Sequence, residues 1–116
     1  MKSLPAILLG IVLATSAPAA PAFDAEILPI FKAKCTQCHG LLFPQKGLRL
    51  TSLKNVLKGG DSGPAIIPGT PERSLLVQQF DLPKSDPKRM PPAAANLELT
   101  PSEKATISRW IAAGAR

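Results

Sequence analysis

The sequence predicts an all-α fold, in which short helices are joined by long loops and a helix stands at each end of the folded part. Three observations predict it. Thirteen prolines in 116 residues disfavour both long helices and central strands, because proline lacks an N–H and fixes φ. Apolar residues recur at i, i+3, i+4 and i+7 in the first and last folded segments, which is the helical period. The aromatics are Phe23, Phe31, Phe43, Phe80 and Trp110 alone. That is a thin supply for a core, and it leaves space for something other than side chains.

Residues 1–22 read as an export signal and 23–116 as the domain. Lys2 gives a positive start, Leu4 to Ala14 is apolar apart from Pro5 and Gly10, and small residues follow. The A-x-A pattern fits Ala17-Pro18-Ala19 and Ala20-Pro21-Ala22. Cleavage after Ala22 leaves 94 residues with 13 basic and 8 acidic side chains, a charge of +5. An uncleaved membrane anchor is the alternative, but the apolar run falls short of the ~20 residues a span needs. The expected product is a soluble exported or periplasmic domain with no membrane span. A chain this small often needs a staple. Its one available disulfide, Cys35–Cys38, would close a tiny loop and constrain the unfolded chain very little.

The first helix is expected over 24–34. Asp24 and Glu26 suit its N-terminus, Ile27, Ile30, Phe31 and Lys34 keep the helical period, and Pro29 either kinks the helix or begins it. A turn at 35–39 ends near Gly40. Residues 41–50 form a loop that finishes extended at Gly47-Leu48-Arg49-Leu50, with Pro44 and Gly47 shaping it. Thr51 or Ser52 caps a short helix over 53–58. Gly59 to Pro64, with three glycines in five residues, is a tight turn, and 65–69 a short buried segment. Thr70-Pro71 opens a helix over 72–79 with Leu75, Leu76 and Phe80 inward. Pro83, Pro87, Pro91 and Pro92 make 81–99 a loop. Thr100-Pro101-Ser102-Glu103 is a capping box with proline at the first helical position. The last helix runs to Ala113 and stops at Gly114. Its face of Ile107, Trp110, Ile111 and Gly114 is expected to pack against the first helix.

Cys35-Thr36-Gln37-Cys38-His39 is a C-x-x-C-H string, the attachment signature of c-type haem. Two thiols three positions apart lie about one helical turn apart, so both reach vinyl groups on one edge of a porphyrin. The next imidazole, that of His39, then serves as the iron ligand. Both cysteines and the only histidine of the chain lie within these five residues. A structural zinc site wants four ligands where the chain offers three. A redox dithiol wants a βαβ setting that the prolines oppose. One covalent haem c with its iron is therefore the expected cofactor. With Met1 in the export signal, Met90 is the remaining thioether and the candidate sixth ligand. Pro91 and Pro92 fix its loop. The alternatives are a five-coordinate iron, Lys88 at the sixth site, or Met90 as a core filler. Arg49 and Arg89 are candidates for the haem propionates, since a guanidinium matches a carboxylate; each is otherwise a surface charge. Trp110 either shields the haem edge or holds two helices together, and packing is favoured.

These segments, in this order and spacing, resemble the planctomycete-type cytochrome c domain. The resemblance rests on Asp24 to His39, Gly47 to Leu50, Lys58 to Pro64, Ile67-Pro68-Gly69, Ser74-Leu75-Leu76, Arg89 to Pro92 and Leu99 to Gly114. It covers essentially all of 23–116. It implies the class I, all-α cytochrome c-like fold around haem c, with Cys35 and Cys38 as attachment points and His39 and Met90 as axial ligands. The expected role is one-electron transfer to and from redox partner proteins, not enzymatic turnover. The rival readings are a haem subunit of a larger periplasmic oxidoreductase and a haem-based ligand sensor with displaceable Met90. The basic charge suits an acidic partner face, or serves solubility alone. Nucleic acid is not an expected partner, because the chain has no long basic cluster and no aromatic platform.

Overall fold

A computed structural model describes residues 2–11 and 19–116. The expected export signal lies partly outside the described residues, as does part of the first A-x-A string. Among the described residues there are four α-helices and no strand: α1 (Leu28–Lys34), α2 (Leu53–Lys58), α3 (Leu75–Phe80) and α4 (Pro101–Ala112). None of them is long and apolar enough to cross a membrane.

The first helical segment differs from a plain helix over 24–34. A π-helical turn, Phe23–Ile27, precedes α1, and Pro29 falls in the first turn of α1. Proline cannot donate the i→i−4 bond, and the wider turn before it absorbs the loss, with Leu28 N–H donating to the Phe23 carbonyl. Phe23, Ile27 and Phe31 are buried along this segment. They meet α4 through Trp110, whose ring centroid lies 5.5 Å from that of Phe23 and 6.4 Å from that of Phe31. Trp110 is fully buried, and its indole N–H donates to the Arg116 carbonyl at 3.1 Å. It therefore holds the terminal helices together. Trp110→Ala is expected to cost about 3–5 kcal/mol, read from the denaturant midpoint of the intact protein.

The capping box of α4 forms as its sequence dictates. Glu103 N–H donates to Thr100 Oγ1 at 3.1 Å, and Thr100 N–H donates back to Glu103 Oε1 at 2.9 Å. Ser52 caps α2 through the Asn55 N–H. The expected helix over 72–79 is instead two pieces, a 3₁₀ turn Pro71–Arg73 and then α3. Ser74 divides them. It is fully buried with extended backbone, its hydroxyl accepts from Ile67 N–H at 2.9 Å, and it donates to the Thr70 carbonyl at 3.0 Å. A serine that bonds local backbone in this way competes with the helix ladder. A 3₁₀ turn at Ala93–Ala95 also interrupts the 81–99 loop.

Two loops knit together beside the core. Asp61 N–H donates to the Lys46 carbonyl at 2.8 Å. At Gly60 a Cβ would stand 2.6 Å from that same carbonyl oxygen, so the close approach requires glycine.

Candidate functional site

A cleft, partly open to solvent, runs into the centre of the domain. Its inner wall is apolar: Phe31 of α1, Leu50, Leu76 and Phe80 of α3, Leu99, and Ile107 of α4. These side chains also belong to the buried core. The core thus opens onto the cleft instead of closing on itself, as the short supply of aromatics suggested.

Cys35, Cys38, His39 and Met90 all line this cleft. The first three come from one turn that continues α1. Cys35 N–H donates to the Phe31 carbonyl at 2.8 Å and His39 N–H to the Cys35 carbonyl at 2.9 Å, so the string keeps helical spacing. Both cysteines are free thiols. Burial, with Glu103 adding to it, pushes the Cys35 thiol up to about 12. Met90 arrives from the 81–99 loop, where its N–H donates to the Gln79 carbonyl at 3.2 Å.

The imidazole of His39 has a defined role for each nitrogen. Nδ1 lies 3.1 Å from the Gln45 carbonyl oxygen and 3.2 Å from that of Leu48. Carbonyls only accept, so Nδ1 carries the proton and donates. Nε2 is left with its lone pair, the form a metal requires. The donor set therefore fits a haem iron: one imidazole with its second nitrogen tied to backbone, one thioether, and two thiols about a turn apart.

The two arginines lie off the cleft wall. Arg49 is half-buried, and its Nε donates to the Leu41 carbonyl at 3.0 Å. Arg89 is buried, 7% exposed, beside a smaller cavity lined also by Pro91, Pro92 and Glu98. Its Nη2 donates to Glu98 Oε1 at 2.9 Å, while its Nε is buried without a partner among the described residues. A buried unsatisfied donor calls for an acceptor, and a propionate next to the Met90 loop would supply one. Lys88 is exposed and does not line the cleft.

Two participants had no signal in the sequence. Lys34 lines the cleft next to Cys35, donates to the Glu98 carbonyl at 3.0 Å, and lies 3.8 Å from Glu103. Glu98 ties the Met90 loop together by pairing with Arg89 and with Lys84 at 3.4 Å. The Arg89 hydrogen bond first, then Lys84, hold its carboxyl below the ordinary 4.5. A lowered carboxylate pKa stabilises the fold above the ordinary value, and that contribution is lost as pH falls through the native value. Wild type is therefore expected to exceed Glu98→Gln in urea midpoint at neutral pH. The gap should close below pH 4.5. Because Glu98 is exposed, the difference is small.

A C-x-x-C-H turn opening onto an apolar cleft, with a methionine also among its lining residues, defines a c-type cytochrome. The family model described as Planctomycete cytochrome C matches residues 35–94, just over half of the chain. The chain belongs to this family. Neither a curated protein nor a solved structure matches it.

Proposed function

We propose that this protein is an exported electron carrier that holds a single haem c through thioether bonds to Cys35 and Cys38, with His39 and Met90 as axial ligands. The observation that carries this is the meeting of all four side chains on one apolar cleft, with His39 Nδ1 committed to backbone carbonyls. When bound, the haem supplies a one-electron Fe(III)/Fe(II) couple. The chain holds it in place and excludes water. Phe31, Leu50, Leu76, Phe80 and Ile107 provide an apolar lining, and His39 and Met90 would both ligate the iron, which would keep small molecules off it. A thioether ligand and burial both raise the potential relative to two histidines. Arg89, with its orphaned Nε, is the better supported of the two propionate partners; Arg49 spends its Nε on Leu41.

Residues 1–22 act as the export signal and 23–116 as the working domain. In support, Leu4, Ile7, Leu8, Leu9 and Ile11 are all more than four-fifths exposed, while burial begins around Pro21 and Phe23. The function is tested by potentiometric titration of the exported protein followed optically. A one-electron transition with slow or no CO binding to the ferrous form is expected. Rapid CO binding at neutral pH would mean a displaceable Met90 and a ligand sensor instead.

A further inference from the structure

Leu41, Leu42 and Phe43 follow the haem-attachment string after the single residue Gly40, yet none lines the cleft. They are 64%, 77% and 95% exposed. Three consecutive large apolar side chains in water are unusual for a small exported domain, where single exposed apolar residues are the norm. The loop that carries them is pinned at its base. Gln45 N–H donates to the Cys38 carbonyl at 2.9 Å, His39 Nδ1 reaches the Gln45 carbonyl, and Arg49 Nε holds the Leu41 carbonyl. Its feet, Cys38, His39 and Gln45, are themselves cleft residues. The apolar tip is thus a fixed projection from the cleft rim. Phe43 has φ 53°, a left-handed conformation that bulky residues rarely take, and it directs the ring outward.

We propose that Leu41, Leu42 and Phe43 form the contact tip by which this protein docks on a redox partner whose face has an apolar centre and an acidic rim. This rests on the electron-carrier reading above. Two observations select that occupant. The tip is flanked by the cations Lys46 and Arg49 in a domain that carries a formal charge of +5 over residues 23–116. It also stands beside Cys38 and His39, so docking here brings the partner to the edge of the proposed cofactor. A small apolar tip with a charged surround suits a short-lived encounter, since redox complexes bury less than about 1,200 Å² and electrostatics supplies their on-rate.

The test uses the whole exported holoprotein on gold monolayers of defined chemistry, either carboxylate alone or carboxylate mixed with methyl. Adsorbed mass and the one-electron wave are read on the same film. Wild type is expected to bind the mixed surface about tenfold more tightly than carboxylate alone, and added salt should weaken both. The variant Leu41→Ser/Leu42→Ser/Phe43→Asn, with asparagine chosen because it tolerates positive φ, should keep the wild-type optical spectrum and lose the preference. A variant that retains the preference overturns the proposal. So does a wild-type dimer in sedimentation that the triple variant dissolves, because a second copy would then cover the tip. A wild-type film of full mass with no redox wave contradicts electron transfer, and the redox partner with it; mass, read separately, distinguishes that outcome from failure of the tip.

Discussion

Replacing Cys35 and Cys38 together with alanine is expected to abolish all haem that survives acid-acetone extraction, in cells with working haem-ligation machinery. The two sulfurs are the only thiols of the chain, so no substitute bond can form. The geometry makes the pair act jointly. Cys38 N–H donates to the Cys35 carbonyl at 3.2 Å, so both side chains leave one turn and face one cleft. Losing the covalent link should also weaken the fold. Phe31, Leu76, Phe80 and Ile107 belong both to the core and to the cleft wall, so the cofactor would pack directly against the core. A group that binds only the folded state stabilises it by mass action. Covalent tethering makes that stabilisation independent of haem concentration. The double variant should therefore melt at lower temperature, and its melting point should rise with added haem. Haem that resists extraction from this variant would refute attachment at these residues.

Met90→Ala is expected to remove the far-red ferric absorption of sulfur ligation and to lower the potential by on the order of 0.1 V, given the ~0.8 V range that axial ligands command. The folded structure should survive this change. Met90 is half-buried, and its backbone N–H keeps its bond to Gln79 whatever the side chain. The loop is also held independently, by Arg89 to Glu98 and by Lys34 to the Glu98 carbonyl. An effect on spectrum and potential far larger than the effect on stability separates ligation from gap filling. CO binding to the ferrous variant should become fast. If wild type itself lacks the far-red band, Met90 is not bound to iron.

Local signals carried far in this sequence. The capping box at Thr100, the cap at Ser52 and the face of Ile107, Trp110 and Ile111 depend on residues within a few positions of one another, and each forms as read. The meeting of Met90 with the 35–39 string in one cleft was reached by elimination, because the chain offers few alternative ligands. Long-range relations were not legible. Ser74 breaks a helix because Ile67 and Thr70 happen to lie against it. Glu98 finds Arg89 only because the proline-rich loop folds back on itself. The Leu41-Leu42-Phe43 tip falls in the expected 41–50 loop, but no local signal showed that its three apolar side chains face water. Pro29 offered two readings, and the π turn reconciles them.

The most direct test of the covalent haem is the mass of the exported chain under denaturing conditions, where any haem that is merely bound is lost. The predicted mass is that of a chain beginning at Phe23 plus one haem. A polypeptide of bare mass, purified colourless from cells competent to attach haem, would contradict it.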